Sequence, residues 1–309
     1  MITVQSALTG LLLGGLYALM AAGVSITWGV LRIINLAHFG LILLSAYLTV
    51  LLASAWGMDP ILTVVITGPA MFVAGGALQW AYDRLGISEL NSLLVSFGLL
   101  IMTVQVVSNI FSADFRRMSA EVNPYATASV ATGRLVFPVT TLLAFLIAVA
   151  VIGAAHLVLR GTFPGRALRA FAEDRGIAGA FGIDHRTLGT LLGAVSGATA
   201  AVAGMLFALA NALTPAVAFE WFGIVFAVVI LGGIGHLLGT LAAGLLVGAL
   251  TGVVSVLLSP AAAPLVLFGA IVVVLLLRPR GLFVRTASSA TVDAVVRSAG
   301  RPAQRDGRS

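Results

Sequence analysis

The sequence predicts an all-α protein, a polytopic transmembrane helical bundle of about nine spans. The 309-residue chain has a mean hydropathy of +1.11, and 60% of its residues are hydrophobic while only 9% are charged. One globular core cannot bury that much apolar side chain, so the excess must face lipid. The alternation of apolar and polar residues that is typical of a membrane β-barrel is missing. Unbroken apolar runs satisfy the hydrogen bonds of their backbone in lipid only as helices.

A membrane-spanning helix needs about 20 predominantly apolar residues. Nine segments approach this length and are predicted as spans. In chain order they are residues 7–31, 36–56, 61–82, 91–111, 136–159, 187–213, 217–234, 237–258 and 262–278. The seventh is the weakest prediction, because it is short and ends among Gly232, Gly233 and Gly235.

The distribution of arginine along the chain predicts the orientation of the protein in the membrane, because basic residues are retained on the cytoplasmic side. All 17 basic residues are Arg, and five of them lie in the loop 160–186. Placing this loop in the cytoplasm leaves only Arg116, Arg117 and Arg134 outside. Nine crossings with an external N-terminus and a cytoplasmic C-terminus satisfy this arrangement. The net charge of +6 is thereby explained without a nucleic-acid partner.

The chain is predicted to form one membrane domain, residues 1–285, followed by a cytoplasmic tail, residues 286–309. The tail is rich in Ala, Ser and Arg and is expected to be disordered. No basic residue precedes the first apolar segment, so no cleaved signal peptide is expected. The chain has no Cys, which excludes disulfides and thiolate metal sites, and no metal site is predicted.

Several classes of chemistry are disfavoured. A P-loop requires a Lys, which this sequence lacks, so ATP hydrolysis by that route is excluded. The acidic residues from Asp59 to Glu220 fall in loops or at span ends, so no ion-coupling carboxylate is visible at membrane depth. An intramembrane protease using Ser196 and a histidine remains a rival hypothesis, and it predicts loss of activity in Ser196→Ala.

The junction between the first two spans contains a cluster of polar residues. Arg32 ends the first span, Asn35 is expected to cap the second helix, and His38 falls in its first turn. Polar groups at a broken helix can contact a substrate, and Tyr17 is a further candidate for the translocation path. The alternative is that Asn35 only caps the helix and His38 lies in the headgroup zone.

The loop 160–186 contains a predicted short amphipathic helix. Pro164 suits its first turn and Gly176 its C-terminal cap, while Leu168 and Phe171 share a face expected to be directed toward lipid. Arg166, Arg169 and Glu173 lie on the other face, and Asp184 is expected to cap the sixth span. The helix is either a docking element or an interfacial anchor held by snorkelling arginines.

Glycines recur at intervals of four in two sets, one at the start of the eighth span and just before it, the other further along the span. Such spacing puts small residues on one helix face, where two backbones can approach closely. The members are Gly235, Gly239, Gly244, Gly248 and Gly252. Both tight packing within the subunit and a sliding contact with a partner subunit use this geometry.

Four motifs follow one another in order along residues 10–284. The first and second are "GLYALMAAGVSITWGVLRIINLAHFG" and, in the cytoplasmic loop, "GRALRAFAEDRGIAGAFGID"; the third and fourth are "AVVILGGIGHLLGTLAAGLLVG" and "LLLRPRGLF". Together they resemble the permeases of branched-chain amino acid ABC transporters, of the LivH type. The sequence departs from the family pattern after His38, where Phe39 precedes the expected Gly40.

The resemblance implies a permease subunit in a bacterial cytoplasmic (inner) membrane that moves small apolar amino acids by alternating access. Its implied partners are a homologous second permease, two cytoplasmic ATP-binding subunits and an extracytoplasmic substrate-binding protein. ATP would be bound by the partner subunits, and no cofactor is expected in this chain. The residues implied in ATPase coupling are Gly165, Arg166, Arg169, Ala170, Glu173, Asp174 and Gly182. Urea or short amides are alternative substrates, and an autonomous channel or facilitator is an alternative function.

Overall fold

The computed structural model describes residues 2–133, 135–173, 184–259 and 262–277. Within these ranges the chain forms ten helices and one antiparallel hairpin. The helices are α1 (Ile2–Leu31), α2 (Ala37–Trp56), α3 (Val64–Arg84), α4 (Glu89–Phe111), α5 (Val139–Gly161), α6 (Phe163–Glu173), α7 (His185–Ala210), α8 (Val217–Gly232), α9 (Leu237–Leu257) and α10 (Ala263–Leu277). The hairpin pairs β1 (Ser129–Thr132) with β2 (Leu135–Pro138) between α4 and α5.

The predicted fold class is confirmed. Each of the nine predicted spans corresponds to one helix, and α6 is the short helix predicted in the loop 160–186. Seven helices are long and apolar enough to cross a membrane, whereas α8 and α10 are shorter, with 16 and 15 residues. The predicted tail 286–309 lies outside the described residues, and the domain boundary at residue 285 stays a prediction.

Helix α1 lies at the centre of the bundle and packs closely against α9. An added Cβ at Gly248 would lie 2.6 Å from the Cα of Gly14 and would collide with the carbonyl oxygen of Gly10. Ser6 extends this contact by donating a hydrogen bond to the Gly252 carbonyl at 2.7 Å. The glycines of α9 therefore serve backbone contact within this subunit. Gly235 lies outside the helix, in the turn that precedes it, with φ +79°.

A second glycine contact joins α3 to α7. An added Cβ at Gly75 would lie 3.0 Å from the Cα of Gly197 and would collide with the Gly193 carbonyl oxygen. On another side of α7, the Ser45 hydroxyl of α2 donates to the Ala201 carbonyl at 2.8 Å. Helix α7 is thereby fixed against both α2 and α3, and it forms one wall of the candidate site described below.

The loop from α4 to the hairpin covers one end of the bundle. The Tyr125 hydroxyl donates to the Asp59 carboxylate at 2.8 Å, and this hydrogen bond raises the pKa of Tyr125. Asn123 donates to the Leu209 carbonyl at 3.0 Å, and Arg116 exchanges two backbone hydrogen bonds with Leu213. These contacts bring the α2–α3, α4–α5 and α7–α8 connections to the same end.

The N-terminus lies at this end too, since Gln5 donates to the Val136 carbonyl of β2 at 2.8 Å. We expect a reporter inserted near Tyr125 to be external and one fused after Arg285 to be cytoplasmic, because arginine asymmetry sets the orientation. Alkaline phosphatase and green fluorescent protein fusions measure the two locations. The same location for both fusions would contradict the number of crossings between them.

Candidate functional site

The chain between α1 and α2 is not helical. Helix α1 ends at Leu31, and Arg32 adopts the left-handed conformation with φ +58°, which is uncommon for a residue with a side chain. Helix α2 then begins at Ala37, so residues 32–36 form an unwound segment. We call residues 32–38 the α1–α2 junction.

The junction starts at the exposed Arg32 and enters the bundle toward α2. The Leu36 amide donates to the Ser96 hydroxyl at 3.1 Å, and Ser96 is about 10 Å along α4 from its start at a rise of about 1.5 Å per residue. His38 contacts Met20 and Ser196, each about 16 Å from the nearest end of its helix on that side. Non-helical backbone at such depth is tolerated where protein surrounds it or where it lines a cavity.

Asn35 is buried in this junction, at 7% exposure. Its side-chain oxygen accepts a hydrogen bond from the Ala37 amide at 3.1 Å, while Leu36 occupies the N-cap position of α2. The prediction that Asn35 is the N-cap of α2 is therefore wrong by one residue, since Asn35 precedes the N-cap and bonds to the first residue of the helix. The Asn35 amide group finds no acceptor among the described residues, which leaves two N–H donors for a ligand.

His38 joins three helices. Its Nε2 lies 3.2 Å from the Met20 carbonyl oxygen of α1, and its Nδ1 lies 3.1 Å from the Ser196 hydroxyl of α7. Because a carbonyl only accepts, Nε2 carries the proton and Nδ1 accepts from Ser196. The ring packs against Gly23, where an added Cβ would collide with it, and only 1% of His38 is exposed. His38 is thus enclosed by protein and does not lie at a bundle end.

The contact between Ser196 and His38 has the donor–acceptor order of a nucleophile and its base. The protease hypothesis also needs access for a substrate, yet Ser196 is 3% exposed. The second ring nitrogen of His38 faces the Met20 carbonyl, where a Ser-His-Asp triad has a carboxylate. The geometry favours a hydrogen-bonded link between α1, α2 and α7 over a hydrolytic centre.

Tyr17 lies on α1, one turn before Met20, and packs half-buried against the hydrophobic core. It makes no hydrogen bond with the described residues. The structure brings Asn35 and His38 together in the junction, and no hydrogen bond among the described residues links Tyr17 to either of them. Its assignment to the translocation path stays a prediction.

Helix α6 has two distinct faces. Leu168 and Phe171 are buried, at 4% and 5% exposure, and belong to the hydrophobic core of the bundle. The expectation that they are directed toward lipid is wrong, because the bundle itself covers this face. Arg166, Arg169 and Ala170 are exposed on the opposite side.

Backbone contacts fix α6 against the end of α5. An added Cβ at Gly165 would collide with the Leu159 carbonyl, so this glycine permits the close approach. Arg169 donates to the Arg160 carbonyl and Arg166 to the Gly161 carbonyl, each at 3.3 Å. Both guanidinium groups are thereby held near the surface of the bundle end.

The other residues predicted for coupling are less completely described. Glu173 is the last residue of α6, while Asp174, Gly176 and Gly182 lie outside the described residues. The predicted cap of the sixth span is confirmed, because the Asp184 carboxylate accepts from the amides of Arg186 and Thr187. The chain therefore leaves α6 and enters α7 at the same end of the bundle.

Sequence reasoning missed Ser96 and Thr199 at the junction. Ser96 supports Leu36, and Thr199 donates to the Ser196 carbonyl at 2.7 Å beside Gly23. A lone hydroxyl residue within an apolar span was the only available signal, and such a residue usually bonds to its own helix backbone. The sequence gives no indication of which hydroxyls face the junction.

Comparisons with known proteins converge on one family. The family model described as "Branched-chain amino acid transport system / permease component" matches residues 6–276. The high-affinity branched-chain amino acid transport system permease protein LivH of Salmonella typhimurium is 28% identical over 303 residues, covering 91% of this chain and 95% of its own. No solved structure gives a significant match.

More distant relatives agree. The permease protein BraD of Pseudomonas aeruginosa, from a system with the same description, is 25% identical and covers 91% of this chain and 95% of its own. A probable branched-chain amino acid transport permease protein of Methanocaldococcus jannaschii is 25% identical and covers 75% of each chain. All three relatives are described as permease components, and the similarity extends over most of each sequence.

Proposed function

This chain belongs to the family of branched-chain amino acid transport permease components, and we propose that it is the membrane-spanning permease subunit of an ATP-binding cassette importer. It pairs with a second homologous permease in a bacterial cytoplasmic membrane. Two cytoplasmic ATP-binding subunits supply the energy, and an extracytoplasmic binding protein delivers the substrate. The chain is a transport component and not an enzyme, and ATP is bound by its partners.

The proposed substrates are branched-chain or other small apolar amino acids. The names of the relatives support this class, since each contains branched-chain amino acid transport. The junction supports it chemically, because the Asn35 amide offers donors suited to a carboxylate, while Ile33 and Leu36 of the same segment are buried apolar residues. Urea and short amides remain alternative substrates of the same site.

One observation supports the proposal beyond family membership: the unwound segment 32–36 starts at the exposed Arg32 and enters the bundle, where Asn35 and Leu36 are buried. Transporters place substrate sites at interrupted helices, where backbone and polar side chains replace the water that surrounds a free solute. Here the flanking link from His38 to Met20 and Ser196 connects the segment to α1 and α7. A relative movement of these helices would open the junction to one side and then to the other, which is alternating access.

The absence of native Cys permits a direct test of this path. We expect Ile34→Cys, in the half-buried middle of the segment, to react with a hydrophilic methanethiosulfonate reagent in the assembled complex. Trapping the ATP-binding subunits with vanadate should change the reaction rate at least about threefold, because it shifts the population between the two open states. The measurement is the rate of labelling followed by mass spectrometry.

Ile101→Cys on α4 is the matched control, since Ile101 is 45% exposed on the outer surface of the bundle and should face lipid. The hydrophilic reagent should label it poorly in both states. Labelling of Ile34→Cys that is as slow as this control, and equally insensitive to vanadate, would remove the junction from the translocation path.

A further inference from the structure

Four basic side chains converge on one cavity at the end of the bundle where α5 meets α6. The cavity has a volume of about 220 Å³. His156 and Arg160 come from α5, Arg169 from α6, and His236 from the turn before α9. Three separate segments therefore contribute to one basic site.

Among the residues that the structure describes, the lining of the cavity includes no carboxylate. Arg160 and Arg169 are permanently charged, and bringing like charges together is unfavourable unless a counter-charge is present. Arg169 is held in place by its hydrogen bond to the Arg160 carbonyl at 3.3 Å. The described part of the site is therefore positively charged and suited to a bound anion.

His236 adds a directed donor. Its Nδ1 accepts a hydrogen bond from the Gly239 amide at 2.9 Å, where it caps the start of α9. The proton of the neutral ring is therefore on Nε2, which remains available as a donor. An anion in the cavity would meet two guanidinium groups and this imidazole.

The rest of the lining is apolar and continues into the membrane-spanning helices. Ile26 and Val30 of α1, Leu159 of α5 and Leu168 of α6 form this wall. A neighbouring cavity of about 340 Å³ shares Ile26, Leu159 and Leu168 and is lined almost wholly by apolar residues. A ligand with both a charged group and a hydrocarbon part matches this combination better than a free inorganic anion.

We propose that this basic cavity binds the phosphate group of an anionic phospholipid, whose acyl chain lies against the apolar wall. Basic pockets between helices at the cytoplasmic side of a membrane are suited to such headgroups. The lipid would contact Arg169 and the half-buried Val30 and Leu159, so it would brace α6 against the ends of α1 and α5. This inference concerns lipid binding by the isolated chain and does not depend on the transport function.

The test uses the purified full-length chain in detergent and three probes: dihexanoyl phosphatidylglycerol, dihexanoyl phosphatidylcholine and inorganic phosphate. Phosphatidylglycerol should bind most tightly. Arg160→Gln should weaken its binding about fivefold, as expected for losing one cation at a membrane surface. Arg160→Lys keeps the positive charge and should retain most of the affinity. Comparing the two variants therefore shows whether the weaker binding of Arg160→Gln comes from the lost charge or from misfolding.

Arg186→Gln is the matched control, because Arg186 is an exposed arginine at the start of α7 outside this cavity. It should bind phosphatidylglycerol as the unmodified chain does. Equal binding of phosphatidylcholine, or an equal loss in Arg186→Gln and Arg160→Gln, would overturn the site. Inorganic phosphate that binds as tightly as phosphatidylglycerol would overturn the assignment to lipid.

Discussion

Reversing the charge of Arg169 is expected to abolish ATP-dependent uptake while leaving the amount of inserted protein nearly unchanged. Arg169 is exposed on α6, on the face opposite the buried Leu168 and Phe171. If this face binds an ATP-binding subunit, Arg169→Glu places a negative charge in the interface. That charge is either unpaired or next to another negative charge. Recovery of the ATP-binding subunits in a pull-down should fall at least about tenfold, because such a charge costs several kcal/mol at an interface.

Ala170 provides a second variant that does not line the basic cavity. Ala170→Trp should also lower recovery, because interface cores pack as tightly as protein interiors. Agreement between the two variants separates ATPase docking from any effect of Arg169 on lipid binding. Undiminished recovery with both variants would leave α6 as an element that stabilises the bundle end and would contradict the coupling assignment.

Introducing leucine at Gly248 is expected to destabilise the chain strongly even in the absence of a second permease. The backbones of α1 and α9 touch here, with the carbonyl of Gly10 and the Cα of Gly14 in the position that a new side chain needs. Both obstructing groups belong to the backbone of α1, which cannot move aside as the end of a flexible side chain can. The two helices must therefore separate. We expect a loss of about 3 kcal/mol in the free energy of unfolding, measured as a lower thermal midpoint in detergent.

Gly153→Leu is the control for the change of residue type, because no heavy atom lies within 4 Å of an added Cβ at Gly153 on α5. It should leave the midpoint of the lone chain nearly unchanged. A different pattern is expected if the glycines slide against a partner: both lone variants would then be equally stable, and only Gly248→Leu would fail to assemble with the second permease.

The helices could be predicted from the sequence because length and apolarity alone decide which segments lipid can accept. The β1–β2 hairpin was not predicted, since its four-residue strands carry too little alternation to be recognised. The spacing of Gly244, Gly248 and Gly252 predicted a close backbone contact. Its partner became clear only in the structure, because small residues show that a neighbour is near without showing which helix supplies it.

The candidate site could be predicted only in part. Asn35 and His38 stood out because they follow Arg32 at the point where one apolar run ends and the next begins. The Ser196 partner of His38 lies 158 residues away, and no local pattern links them. The apolar face of α6 was recognised, but amphipathicity does not distinguish a face covered by lipid from one covered by protein, so Leu168 and Phe171 were assigned the wrong neighbour.

The most direct test of the proposed function is uptake of radiolabelled leucine by proteoliposomes containing this chain with or without its partners. The complete assembly contains the second permease, the two ATP-binding subunits and the binding protein. It should accumulate leucine against a gradient only when ATP is present. The lone chain should neither accumulate leucine nor hydrolyse ATP, since a chain without Lys cannot form a P-loop. Rapid leucine uptake by the lone chain, unaffected by ATP, would contradict the proposal and identify an autonomous facilitator.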